Sequence, residues 1–181
     1  MKHEPEGWVA AARRSPSPNC DERPAGEAVT LLVVHSISLP PGKYGGDEIE
    51  RFFGNRLDPA EHPYFAEIRD LKVSSHFLVR RDGALVQFVP VHRRAWHAGA
   101  SRWRGRERCN DFSIGVELEG TDDTPFEEAQ YDALARLVAE LRKTVPLREL
   151  ASHSDVAPGR KSDPGPHFAW RRVLAALAAA H

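Results

Sequence analysis

Apolar residues dominate the segment at 29–36, where the chain reads VTLLVVHS and residues 31–34 are apolar without interruption. A continuous, β-branched run of this length predicts a strand in the interior of a sheet, covered on both faces. His35 lies near the end of that run. A histidine in such a place is more often a hydrogen-bonded structural residue than a catalytic one, so its role depends on what the rest of the chain brings to it.

Three further segments have the pattern of strands. In SSHFLVRRDGALVQFVP, residues 74–90, two β-rich runs flank Arg81-Asp82-Gly83, which predicts a hairpin. FSIGVELEG at 112–120 predicts another strand, and residues 148–153 predict a short last one.

The clearest helix covers PFEEAQYDALARLVAELRKTV, residues 125–145, where apolar residues follow the 3.6-residue period. Thr124, with Glu127 after it, predicts a capping box at its start. Further helices are predicted at 46–55 (from Asp47 to Gly54), 63–68 and 167–180. Because strands and helices are interspersed around a hairpin, we predict an α/β fold: a single domain with a central mixed β-sheet flanked by α-helices.

The first 28 residues are rich in proline, serine and charge, so we predict an irregular arm (1–28) packed on a domain at 29–181. The apolar stretch at 8–12 is too short for a signal-peptide core, and no run approaches the length of a membrane span. We therefore expect a cytoplasmic protein with no membrane partner. As a separate expectation, the protein is a monomer.

The formal net charge of −1 gives no global basic field that would attract nucleic acid. A local basic segment does exist at 93–108, where arginines are interleaved with Trp96 and Trp103. Such a segment could bind single-stranded nucleic acid or a small anionic ligand, and the neutral total favours the small ligand. The two cysteines are too few for a disulfide scaffold.

Side chains alternate between the two faces of the predicted strand at 112–120. One face is apolar, whereas the other has Glu117 and Glu119, with Gly115 leaving room above it. This second face could simply be solvated. Alternatively, Glu117 could accept and return protons beside a zinc-activated water during hydrolysis.

The segment HSDVAPGRKSDPGPHF at 153–168 contains three prolines and two glycines, so we predict an irregular loop without helix. Because Asp163 precedes a proline, it is expected to be extended, and Lys161 and Asp163 then project to the same side. A surface loop with a local Lys–Asp pair is the alternative.

A catalytic zinc takes three protein ligands and keeps one position open. The candidates combine into His35, His153 and Asp163 as ligands of Zn²⁺, Glu117 as proton carrier and Lys161 as the group that stabilises a negative carbonyl oxygen. These residues do not form a compact motif, so their spacing alone leaves the hypothesis open.

Several long segments, in order along nearly the whole chain, resemble the AmpD family of cytoplasmic N-acetylmuramoyl-L-alanine amidases. They are SPNCDERP, VVHSISLPPG, SSHFLVRRDGALVQFVP, RAWHAG, GRERCNDFSIGVELEG and DVAPGRKSDPGPHF. The family belongs to the zinc amidase superfamily, which includes peptidoglycan recognition proteins. Two positions depart from its usual pattern: Ser36, where members usually have asparagine, and Lys72, where they often have arginine.

The resemblance implies a fold, a reaction and a site. Family members cut the amide between the lactyl group of 1,6-anhydro-N-acetylmuramic acid and L-alanine, and so recycle cell-wall fragments. The implied zinc ligands are His35, His153 and Asp163, the implied catalytic residues Glu117 and Lys161, and the implied sugar- or peptide-binding residues Trp96, His97 and Arg108.

Two alternatives stay open from the sequence. A module on the same fold could bind peptidoglycan fragments without cutting them, although such modules often lack a zinc ligand. A cysteine hydrolase could be built on Cys109, but it would leave the His/His/Asp set without a purpose. We expect His76 and His92 to be structural or surface residues.

Overall fold

A computed structural model describes residues 7–179, so the first residues of the predicted arm and the end of the predicted terminal helix lie outside it. The strands of the described residues are β1 Arg13–Arg14, β2 Cys20–Glu22, β3 Leu31–Ile37, β4 Phe77–Val79, β5 Leu85–Gln87, β6 Arg93–Ala95, β7 Arg102–Trp103, β8 Arg106–Glu107, β9 Ser113–Glu119 and β10 Glu149–Ser152.

Six of these strands form the central sheet, in the order β1-β5-β4-β9-β3-β10. The β4–β5 hairpin is antiparallel, and every other neighbouring pair in this sheet is parallel. Two small antiparallel pairs, β2–β6 and β7–β8, lie outside it. The predicted α/β fold with a mixed sheet and its predicted hairpin are therefore confirmed.

Helices cover both faces of the sheet. They are α1 Glu48–Phe53, α2 Pro63–Ile68, α3 Glu128–Leu141, α4 His153–Val156 and α5 Trp170–Ala179, with a 3₁₀ turn at Cys109–Asp111. The apolar sides of α3 and α5 pack on Val34, Phe77 and Val116, whereas α1 and α2 pack on Leu78 and Val86 from the opposite side. All seven residues of β9 are buried as a result.

Two local predictions are wrong. The residue that caps α3 is Glu127 rather than Thr124. The Glu127 side chain accepts a hydrogen bond from the Gln130 backbone amide, and the Gln130 side chain accepts one from the Glu127 backbone amide. The helix starts at Glu128, later than predicted, because residues 122–124 form a turn and Phe126 after it enters the core (4% exposed). The segment after β10 also contains one helical turn, α4, because Ser152 and Asp155 form a capping box ahead of the first proline.

The predicted arm is less irregular than expected. Within residues 7–28, β1 joins the edge of the central sheet beside β5, and β2 pairs with β6. An edge strand is held by backbone hydrogen bonds, so its side chains can be two exposed arginines that carry no strand signal. The division between an arm and a catalytic domain stays a prediction.

Candidate metal centre

The two central strands bring a histidine and a carboxylate together. β3 and β9 are parallel neighbours, and their register places His35 directly opposite Glu117. Both strands are hydrophobic enough to be buried in the middle of the sheet, which also buries these two polar side chains: His35 is 2% exposed and Glu117 is 8% exposed. A buried ionisable group needs a partner or a changed protonation state.

His153 reaches the same place from the other neighbour of β3. β10 is parallel to β3 and ends with Ser152 opposite Val34. The capping box of α4 turns the chain sharply at this point, so His153 is the first helical residue and its ring is buried beside that of His35. The ring centroids are 4.3 Å apart.

Asp163 completes a cluster whose three potential ligand atoms converge on one point. His35 Nδ1 lies 3.0 Å from His153 Nδ1 and 3.3 Å from Asp163 Oδ2, and His153 Nδ1 lies 3.2 Å from the same Asp163 oxygen. In a tetrahedral zinc site with bonds of about 2.0–2.1 Å, neighbouring ligand atoms are roughly 3.3 Å apart. The observed separations fit that arrangement.

The ring nitrogens of His35 and His153 that face away from the cluster also indicate a metal site. His35 Nε2 lies 2.9 Å from His97 Nδ1, and His153 Nε2 lies 3.2 Å from the carbonyl oxygen of Ala98. The carbonyl can only accept, so His153 carries its proton on Nε2 and its Nδ1 lone pair points to the cluster. This pattern, with a metal-facing nitrogen and an outer N–H donated to the protein, is typical of zinc-bound histidines.

The electrostatics keep His35 and Asp163 in the protonation states that a metal ion requires. Burial lowers the pKa of His35 to about 4, which is only partly opposed by its hydrogen bond to Asp163, so the ring is neutral at pH 7. Burial acts to raise the pKa of Asp163, but its close contacts with the His153 and His35 rings outweigh burial and lower that pKa below its ordinary range. Neutral imidazole and ionised carboxylate are the forms that bind zinc.

Glu117 lies at the edge of this cluster without belonging to it. Its Oε1 is 4.0 Å from His35 Nδ1, and its Oε2 is buried without a hydrogen-bond partner among the described residues. Burial, together with the negative charge of Asp163, raises the pKa of Glu117 well above its ordinary value, and the charge of Lys161 opposes this. A carboxyl group with a raised pKa beside a metal site is suited to holding a proton.

A cavity of about 720 Å³ opens over the cluster. Lys161 and Trp96 border it together with the three candidate ligands. Apolar side chains also line it, among them Leu39, Phe52, Phe53, Tyr64 and Ile68. The cavity therefore offers both metal-binding and apolar groups to one ligand.

A family model described as N-acetylmuramoyl-L-alanine amidase matches residues 25–166. The chain is 55% identical over 169 residues to the 1,6-anhydro-N-acetylmuramyl-L-alanine amidase AmpD of Escherichia coli strain K12, with 92% of each chain covered. The chain belongs to the AmpD family of N-acetylmuramoyl-L-alanine amidases. The family resemblance seen in the sequence is confirmed.

Solved structures agree with this assignment. The crystal structure of a Se-Met AmpD derivative superposes with a TM-score of 0.94 at 53% identity and covers 98% of this chain and 99% of its own. AmiD from E. coli, solved with anhydro-N-acetylmuramic acid-L-Ala-D-gamma-Glu-L-Lys, gives a TM-score of 0.60 at 30% identity and covers 87% of this chain and 65% of its own. The zinc amidase fold is thereby confirmed.

The three residues predicted to hold substrate have different surroundings in this amidase. Trp96 borders the cavity over the cluster. His97 is 9% exposed and uses both ring nitrogens within the protein, on His35 and on Ser113 Oγ. A Cβ at position 115 would lie 2.5 Å from the His97 ring, so Gly115 provides the space in which this ring packs.

Arg108 lies outside the cavity over the cluster. It borders an adjoining cavity of about 540 Å³, together with Arg102 and Arg160, and Arg160 also borders the first cavity. The Arg108 side chain is 71% exposed and forms an ion pair with Asp111 at 3.3 Å. Its predicted contact with substrate would therefore involve a part of the ligand that extends away from the metal centre.

The remaining histidines and Cys109 have the surroundings of structural or surface residues. His76 is fully buried, accepts from the Gly115 backbone at Nδ1 and contacts the Arg93 carbonyl through Nε2, whereas His92 is exposed. Cys109 is buried, and burial raises the pKa of its thiol, which is the opposite of an activated thiolate. These surroundings do not support a cysteine hydrolase.

Three neighbours of the site were not predicted from the sequence. Ser113 binds the outer nitrogen of His97, Arg160 lies between the two cavities, and Asp122 accepts hydrogen bonds from residues beside two candidate ligands. The alternation within β9 placed Ser113 on the face of Glu117, but nothing in the sequence indicated what it would contact.

Among residues 7–179, no helix has the length and apolar character needed to cross a bilayer.

Proposed function

We propose that this amidase uses zinc to hydrolyse the lactyl–L-alanine amide of 1,6-anhydro-N-acetylmuramoyl peptides, and that it does so in the cytoplasm, as a monomer, during cell-wall recycling. The observation that carries the proposal is the convergence of His35, His153 and Asp163 beside Glu117. Membership of the AmpD family supports the substrate class, because the E. coli relative is named for this amide and for the anhydro sugar.

His35, His153 and Asp163 would hold the zinc ion, which leaves the cavity side of the cluster for water and substrate. When bound, zinc supplies Lewis-acid polarisation of a carbonyl and makes water nucleophilic at neutral pH. His97 and the Ala98 carbonyl orient the two histidine rings from behind, so the ligand nitrogens keep their direction.

Glu117 moves the protons of the reaction. Water adds to the lactyl carbonyl carbon and the C–N bond breaks. One proton of that water passes through the Glu117 carboxylate to the departing nitrogen, which leaves as the amino group of L-alanine. The buried Oε2, which has no hydrogen-bond partner among residues 7–179, is the atom available for this transfer. The positive charge of a bound cation would offset the effect of burial and let Glu117 ionise before it accepts the proton.

Lys161 supplies a positive charge on the cavity side of the cluster. Its charge lowers the pKa values of both Glu117 and His35, and this supports a role for Lys161 near the reacting carbonyl. A fixed cation is most effective where negative charge develops in the transition state. We propose that Lys161 stabilises the lactyl carbonyl oxygen as it becomes negative.

Substrate contacts follow from the two cavities. We assign sugar or peptide contact to Trp96 at the metal centre and carboxylate recognition to Arg108 in the adjoining cavity, because arginine pairs with carboxylates in a bidentate way. His97 would contribute to substrate binding through its ring rather than through its nitrogens, which are both engaged.

The proposal is tested with the metal-free and zinc-loaded protein. Zinc content is measured per chain, and cleavage of an anhydro-muropeptide and of the matching reducing-end muropeptide is followed by mass spectrometry. We expect one zinc per chain, loss of both products on chelation, recovery with zinc, and preference for the anhydro sugar. A metal-free protein that remained fully active would overturn the mechanism, and a zinc-loaded protein that bound without cutting would indicate a binding module.

A further inference from the structure

Asp122 lies in the turn after β9, and its carboxylate joins two segments that each contain a proposed zinc ligand. Its Oδ1 accepts a hydrogen bond from Ser36 Oγ at 3.1 Å, and its Oδ2 accepts one from Ser162 Oγ. Ser36 directly follows His35, and Ser162 directly precedes Asp163. One side chain outside the ligand set therefore connects β3 to the loop that presents the third ligand.

Apart from the contact of its carboxylate with His35 Nδ1 at 3.3 Å, which lies within the proposed metal cluster itself, the other ties of Asp163 do not connect it firmly to β3. Its backbone carbonyl accepts from the Ser154 amide at 3.1 Å, which fixes it to α4 and hence to His153. Its side chain accepts from the Ser36 amide at 3.4 Å, longer than a typical N–H···O bond of about 2.9–3.0 Å. The short connection between the loop and β3 thus runs through Asp122.

The backbone around Asp122 is packed in a way that keeps this connection in place. Gly165, two residues after Asp163, has a φ of +84°, and a Cβ at that position would lie 2.6 Å from the Asp122 carbonyl oxygen. The amide of Gly165 donates to the Ser162 carbonyl at 3.0 Å, which closes the turn. The turn that contains Asp163 therefore lies directly against Asp122, with no space for it to shift toward that residue.

We propose that Asp122 is a positioning residue that holds Asp163 at the correct distance from His35 through its hydrogen bonds to Ser36 and Ser162. This inference rests on the proposed zinc site, and it adds a residue to which neither the reaction nor the ligand set assigns a role. Removing an outer partner of a metal ligand typically weakens metal binding by about 10–100-fold. Because Asp122 acts through a neighbouring residue, we expect an effect near the lower end, about tenfold.

Zinc affinity measured on the metal-free protein, by competition with a chromophoric chelator, tests the proposal without relying on turnover. Asp122→Ala should bind zinc about tenfold more weakly than the parent. Asp122→Asn should recover most of that loss, because its amide can accept from one serine hydroxyl and donate to the other. Asp123→Ala is the control, since it removes the same charge one residue away and should keep the parental affinity.

The visible spectrum of the Co²⁺-substituted protein gives a second measurement, because it reports the ligand geometry directly. Asp122→Ala should change the spectrum, whereas Asp122→Asn and Asp123→Ala should keep it. If Asp122→Asn bound zinc as weakly as Asp122→Ala, the effect would come from charge rather than from position, and the proposal would be overturned.

The serines keep the proposal testable if Asp122→Ala does not fold. The double variant Ser36→Ala/Ser162→Ala should lose as much zinc affinity as Asp122→Ala, and adding Asp122→Ala to it should cost nothing more, since groups in one network are not additive. Additive losses, or parental affinity in Asp122→Ala or in the double variant, would overturn the positioning role alone. A parent protein that bound no zinc would overturn the proposed function together with it.

Discussion

His76 should make the folded protein less stable as the pH falls, and the structure gives the size of the effect. The His76 ring is fully buried, and this burial is the largest cause that lowers its pKa to about 3. The positive charge of Arg23 lowers the pKa further, whereas the hydrogen bond to the Arg93 carbonyl raises it. In the unfolded chain a histidine titrates near 6.5. Between these two values the unfolded state binds a proton that the folded state does not, so unfolding is favoured as the pH is lowered.

The linkage relation then gives the magnitude. Above pH 7 both states are neutral and the effect vanishes. Below about 6.5 the free energy of unfolding falls by about 1.4 kcal/mol per pH unit, which amounts to about 2 kcal/mol at pH 5. The loss continues until the pH approaches the folded pKa of about 3. Its sign is the same as that of Asp163, whose lowered pKa also destabilises the fold in acid, but at lower pH, below the ordinary pKa of a carboxyl group.

Urea unfolding of the chelator-treated protein, at half-unit steps from pH 8 to pH 5, measures this directly. His76→Gln removes the titrating group, so it should be less stable than the parent at pH 8, with a difference that shrinks by about 2 kcal/mol by pH 5. His92→Gln is the matched control, because its exposed side chain stays in water in both states. If the parent and His76→Gln curves were parallel over this range, the reasoning about buried His76 would be refuted.

Four further variants test the roles in the proposed mechanism. Glu117→Gln should keep zinc but lower single-turnover rates by about 10²–10⁴; near-parental turnover would contradict its role as proton carrier. Lys161→Ala should also keep zinc and lose roughly 10²–10³ in kcat, and an unchanged kcat would remove it from oxyanion stabilisation. Asp163→Ala should differ from both by losing zinc, measured as metal content after dialysis; zinc bound as tightly as in the parent would mean that Asp163 is not a ligand. Arg108→Ala should raise KM for a peptide-bearing substrate with zinc content unchanged, and an unchanged KM would show that the adjoining cavity does not bind the peptide.

The elements that could be predicted from the sequence are those with a clear hydrophobic pattern in their side chains. The run at 31–34 and the alternation within 113–119 are strong signals because these strands are buried in the centre of the sheet. β1 gave no signal because it is held to the sheet edge by its backbone. The helical turn of α4 was missed because prolines and glycines dominate the segment, whereas the capping box that starts it involves only Ser152 and Asp155.

The same distinction explains which parts of the candidate site were predictable. The strands that carry His35 and Glu117 were predicted correctly, and the parallel register of these two central strands places the two side chains opposite each other. Asp122 could not be found in this way, since its contacts depend on how two loops fold against each other. Gly115 shows the boundary between the two cases: the strand pattern indicated free space above it, but only the tertiary structure shows that His97 fills this space and binds His35. Residues that act through regular structure can thus be inferred from sequence, whereas residues that orient them from loops require the fold.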